Sequence, residues 1–72
     1  MDKVIAEKKS IGELVQDRRK TIKIRQEDLA EIAGISPRTL RDIEKGIANP
    51  ELETLLKIFE VLGLDIKVEV IK

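Results

Sequence analysis

The side chains of this 72-residue chain are short on nucleophiles and rich in hydrogen-bonding groups. It has no His and no Cys, so thiol chemistry, disulfides and the usual zinc sites are excluded. Its carboxylates are scattered over polar stretches rather than paired on an apolar one, which leaves no general acid–base couple. What stands out is a cluster: Arg38, Thr39, Arg41, Asp42 and Lys45, interleaved with Leu40 and Ile43. With Leu40 and Ile43 three apart on the buried side of a helix, the five polar residues turn outward. Such a face can hydrogen-bond another molecule but has nothing with which to break a bond. No catalytic residue, cofactor or metal is expected; the chemistry is recognition.

Two short helices must present that face. Residues 26–33, QEDLAEIA, place Leu29, Ala30, Ile32 and Ala33 at the recurrence of one helix side. Gly34 then supplies a residue free to take φ > 0, which stops a helix sharply. Ser36 can accept from an orphan backbone N–H at the start of the next helix, and Pro37 suits its first position. Two helices, a three-residue turn beginning with Gly, and a polar outer face form a helix-turn-helix.

This stretch resembles the Cro/Xre-type repressor helix-turn-helix. The likeness lies in Gln26, Leu29, Ala30, Ala33, Gly34, Ile35, Leu40, Ile43, Glu44 and Gly46, and extends from about Ile11 to Leu62. It implies a mostly α, lambda-repressor-like domain that binds double-stranded DNA at a palindromic operator, with the second helix of the pair in the major groove. The family's base-contacting positions fall on Pro37, Arg38, Thr39, Arg41 and Asp42. Arg38 or Arg41 suits guanine O6 and N7, Thr39 a thymine methyl, Asp42 a cytosine amino group. Pro37 has no side-chain or backbone donor. Gln26, Ser36, Lys45 and the loop at Asn49 are expected to hold phosphates and fix register. The family also pairs an arginine of the preceding helix with the glutamate late in the recognition helix, here Arg19 and Glu44. Arg25 departs from the pattern, because Thr or Ser commonly caps the helix at that point; losing a cap costs about 1 kcal/mol.

Seventy-two residues make one domain with a marginal core, so a partner subunit would add stability. No apolar run spans a membrane and no signal-peptide pattern is present, so the chain is expected to be cytoplasmic with no membrane partner. Formal charge is zero, unusual for a nucleic-acid binder. Residues 1–50 carry eleven basic and nine acidic groups and residues 51–72 three and five, so any basic surface must be gathered by folding.

Residues 1–9 mix Val4 and Ile5 with charges, Lys3, Lys8 and Lys9 among them, and read as a flexible or short extended arm. Residues 10–63 form the DNA-binding domain. Ser10 and Glu13 fit a capping box opening a helix that buries Ile11, Leu14, Val15 and the stem of Arg18. A loop at Asn49-Pro50 follows the helix pair; in the family it donates main-chain N–H groups to the DNA backbone. A fourth helix carries Leu52, Leu55, Leu56, Phe59 and Leu62 as a core stripe and stops at Gly63. Residues 64–72 break the period: Leu64, Ile66, Val68 and Val70 alternate with polar residues, which predicts a β-strand. No other segment alternates well enough to be its partner within the chain, residues 3–6 being the only rival, so the strand is expected to pair antiparallel across a homodimer. A helical domain with one terminal strand resembles HipB-type antitoxins. That likeness implies the antitoxin of a HipA-like toxin, repressing its own operon; the alternative is a free-standing phage-type or metabolic regulator.

Overall fold

A computed structural model describes residues 2–71, with side chains from residue 10 onward. The element order is α1 (Asp2–Thr21), α2 (Gln26–Ala33), α3 (Pro37–Glu44) and α4 (Leu52–Leu62). Helix α1 packs on both α3 and α4, while α2 packs on α3 and α4 from the other side.

Helix α1 starts nine residues earlier than the capping box at Ser10 suggested. Residues 2–9 of the stretch expected as a flexible or short extended arm are helical, and Ser10 lies inside the helix rather than at its head. Once residues 11–19 are held by packing, adding turns of Lys, Glu and Ala costs little, because propagation is far easier than nucleation. Any contact made by Lys3, Lys8 or Lys9 lies outside the described residues. The helix passes its closest neighbour at Gly12, which is buried. A Cβ there would overlap the carbonyl oxygen of Ile43 and stand 2.5 Å from that of Glu44. The glycine is a contact point between α1 and the end of α3, which offsets its poor helix propensity.

The core comprises Val15, Leu29, Ala30, Ala33, Leu40, Ile43, Ile58, Phe59 and Leu62. Ala30 is fully buried within it. Several apolar residues expected inside are not. Leu14 is 51% exposed, and Ile32, Leu52 and Leu56 also face out. On α4 the buried row is Ile58, Phe59 and Leu62, with Leu55 half-buried beside it. That row still recurs at three and four residues, but it is turned toward Ile58 because α4 meets α2 as well as α1. A helix carrying apolar residues on more than half its circumference does not announce which side its neighbours take.

Residues 64–71 form no strand, contrary to expectation. A ladder needs a second strand, and residues 3–6, the rival within the chain, are helical. The alternation nonetheless survives. Leu64 and Ile66 pack against the core, and Lys67 Nζ lies 3.7 Å from Glu69 Oε1, two residues along on the same side. Val68 and Val70, next at the same spacing, are 90% and 89% exposed.

Candidate nucleic-acid interface

Helix α2 ends on Gly34 in the left-handed conformation (φ 73°), with the Ile35 N–H donating to Ala30 O at 3.0 Å. This is the sharp stop that Gly allows. Ser36 then caps α3: its Oγ accepts from the Thr39 N–H at 3.1 Å and lies 2.9 Å from the Thr39 hydroxyl, with Pro37 in the first turn. Ser36, Pro37, Arg38, Thr39, Arg41 and Lys45 are all exposed, and Asp42 is half-buried. Arg38, Arg41 and Lys45, at intervals of three and four, share one side of α3. The helix thus turns the three cations of this short stretch to one exposed side. The hydroxyl of Thr39 is engaged with Ser36.

What sets the angle of α3 is a buried cluster at its end. Arg19 reaches across from α1: Nε donates to Glu44 Oε2 at 2.7 Å and Nη2 to Oε1 at 3.1 Å, while Nη1 donates to the Ile24 carbonyl at 3.1 Å. The Glu44 side chain is 1% exposed. Charge-assisted, forked bonds of this kind are stronger and more directional than neutral ones. Gln26, at the start of α2, donates from Nε2 to Glu44 Oε1 at 3.0 Å. One carboxylate therefore joins α1, α2 and α3, and among the described residues no buried polar side-chain atom lacks a partner.

Gln26 was expected to face a phosphate; one of its amide hydrogens is committed to Glu44, leaving the other, since an amide carries two. In the loop after α3, three backbone donors are already engaged. The N–H groups of Ile47 and Ala48 both donate to Asp42 O, at 3.0 and 3.2 Å, and that of Gly46 to Ile43 O at 3.0 Å. They close the end of α3 and are spent. Asn49 is exposed beyond them. Arg25 provides no side-chain cap for α2. Its exposed guanidinium instead pairs with Asp28 at 3.1 Å, and that hydrogen bond, then the charges of Asp28 and Glu27, raise its pKa further.

Two structural residues escaped sequence reasoning. Gly12 could have been noticed as a lone glycine within a helical pattern, a signal of close packing. Arg18 was credited only with its stem, yet its Nε donates to the Leu62 carbonyl at 2.7 Å, at the last turn of α4. Nothing in local sequence pairs residues so far apart.

Among the described residues, no group of His, Cys, Asp and Glu is placed to hold a metal, and no helix is long and apolar enough to cross a membrane. The helix-turn-helix family matches residues 15–68. The chain is 37% identical over 60 residues to the ImmF control region 10 kDa protein of Bacillus phage phi105, covering 83% of this chain and 67% of that one. It is 34% identical over 68 residues to y4mF, an uncharacterized HTH-type transcriptional regulator of Sinorhizobium fredii, covering 94% and 90%. A third relative, an HTH-type transcriptional regulator of Haemophilus influenzae, is 42% identical over 53 residues, which are 74% of this chain and 53% of that protein. The capped α3, its outward basic side, the clamp at Glu44 and these relatives agree: the chain belongs to the Cro/Xre-type helix-turn-helix family of DNA-binding transcriptional regulators.

Proposed function

We propose that this chain is a homodimeric repressor that reads a palindromic operator through α3. The observation that carries this is Arg38, Arg41 and Lys45 on one exposed side of a helix whose angle is fixed by the Arg19–Glu44–Gln26 cluster. Arg38 and Arg41 read guanine, each good bidentate pair discriminating by about 1–3 kcal/mol. Thr39 offers its methyl to thymine, Asp42 its carboxylate to cytosine, and Pro37 only van der Waals contact. Gln26, Ser36, Lys45 and Asn49 contact phosphates.

The dimer forms through residues 64–71, paired antiparallel with their copy. Support comes from Leu64 and Ile66 lying on the core while Val68 and Val70, in the same row, extend bare beyond it. Covering one such side chain contributes roughly 1.5–3 kcal/mol, and the paired segment satisfies backbone groups that are otherwise left to water. Two biological settings remain. Similarity to a phage control-region protein favours a free-standing phage-type regulator. The alternating tail favours the antitoxin of a HipA-like toxin, repressing its own operon.

Selection from a random duplex pool tests the DNA reading. The expected product is a palindrome with half-sites about one turn, roughly 34 Å, apart, bound with an affinity that falls steeply with salt. No enriched palindrome, or salt-independent binding, would overturn it. Sedimentation of Val68→Pro, which loses a ladder donor, should show monomers where the parent is dimeric. Affinity capture from native lysate, with and without a HipA-like protein, separates the two settings.

A further inference from the structure

Helix α4 ends in a cap that a different helix supplies. Gly63 is left-handed (φ 71°), and the Leu64 N–H turns back to the Phe59 carbonyl at 2.8 Å. At the same place Arg18 of α1 donates from Nε to Leu62 O at 2.7 Å, and a Cβ on Gly63 would sit 3.5 Å from its Nη2. A cation on the last carbonyls of a helix is favoured by the helix dipole, and the bond crosses between elements where the chain leaves the helical body. Among the described residues from Leu64 onward, only Leu64 and Ile66 touch the core. Residues 64–71 thus leave α4 through the Gly63 turn and rest on these two side chains, with the Arg18 guanidinium bonded to the carbonyl just before the turn.

We propose that Arg18 is a positioning residue that sets which operator half-site spacing this protein accepts. The inference rests on the reading that residues 64–71 join two subunits. Given that joint, the angle at which the segment leaves each body determines the separation and rotation of the two α3 helices, because two-fold symmetry doubles any change. α1 holds Arg18 at one end of this bond and, one residue on, Arg19 at the clamp that orients α3. The same helix therefore ties the last turn of α4, from which the tail departs, to the end of α3. Arg18 is itself exposed and outside the core, so its replacement leaves the body able to fold and each α3 able to bind one half-site. What it frees is the hinge.

The test uses the intact chain, as wild type, Arg18→Ala and Arg18→Lys, on duplexes whose two selected half-sites are moved apart or together one base pair at a time. A duplex with one half-site scrambled reports the single-site affinity. One base pair turns the half-sites by about 35° relative to each other, at 10–10.5 base pairs per turn. Wild type should favour its best spacing over either neighbour by about tenfold, a difference of ~1.4 kcal/mol. Arg18→Ala should flatten that preference to about threefold or less, with single-site affinity unchanged, and Arg18→Lys, which keeps the charge but loses the fork, should fall between. An Arg18→Ala profile as sharp as wild type would overturn the role of Arg18 while leaving the dimer intact. A wild-type protein with no preferred spacing would overturn the dimer reading and this inference together.

Discussion

Replacing the buried Arg19 with Ala should be strongly destabilising. The substitution removes three hydrogen bonds, two to Glu44 and one to the Ile24 carbonyl. It leaves the Glu44 carboxylate, 1% exposed, with only the Gln26 amide for company. Stranding one member of a buried pair costs about 3–5 kcal/mol, mostly the desolvation of the charge left behind. Domains of this size have only ~5–15 kcal/mol to lose, and each kcal/mol moves Tm by about 4–8 °C. Arg19→Ala should therefore lower Tm by at least about 12 °C, whereas Lys20→Ala, exposed next to it, should stay within about 0.5 kcal/mol of wild type. Arg18→Ala, which gives up one partly exposed bond, should fall between them. Urea and thermal unfolding followed by circular dichroism at one fixed protein concentration provide the comparison. The concentration must be fixed because assembly adds to apparent stability. The double change Arg19→Met with Glu44→Met supplies the sharper check: removing both charges should recover much of the loss, since apolar replacements of buried pairs are often near neutral. Equal small shifts for Arg19→Ala and Lys20→Ala would refute the reasoning, as would a double variant less stable than either single one.

Three further outcomes follow from the geometry. Gly12→Ala should destabilise by about 1–3 kcal/mol although Ala is the better helix former by ~1 kcal/mol, because the new methyl meets backbone oxygens of α3 that cannot rotate away; an unchanged urea midpoint would show that α1 and α3 can part freely. Lys23 sits at φ 60° in the turn after α1, a conformation costing a non-glycine residue about 1–2 kcal/mol, so Lys23→Gly should raise stability by about 0.5–1 kcal/mol, and a fall would mean that the lysine side chain contributes more than its backbone costs. Arg38→Ala and Arg41→Ala should relax the selected sequence while Lys45→Ala weakens all duplexes alike and lessens the salt dependence; three identical affinity losses without change of sequence preference would reassign the readers.

How far the chain could be read in advance depended on whether each signal was local. The stop at Gly34, the Ser36 cap and the first-turn Pro37 are chemistry within four residues, and the structure has each of them. Arg19 and Glu44 are 25 residues apart; no spacing rule joins them, and only likeness to a known arrangement put them together. The core face of α4 was misjudged for a related reason. Leu52, Leu56 and Ile58 are all apolar, and which of them is buried is decided by neighbours on two sides, information a single periodic stripe does not carry. Gly12 likewise records the proximity of a helix far along the chain.

The C-terminal segment shows the other side of the same point. Alternation states how side chains are dealt to two faces, and that deal is visible: Leu64 and Ile66 go to the core, Lys67 and Glu69 to one outer side. It does not state what pairs with the backbone, which requires a second strand that no described part of this chain supplies. The row begins on its own core and leaves Val68 and Val70 bare, where apolar β-branched residues gain nothing from water. In a domain whose own core is small, covering that row would add stability. The same covering would carry the spacing of two α3 helices, so stability and operator choice would rest on the same few residues.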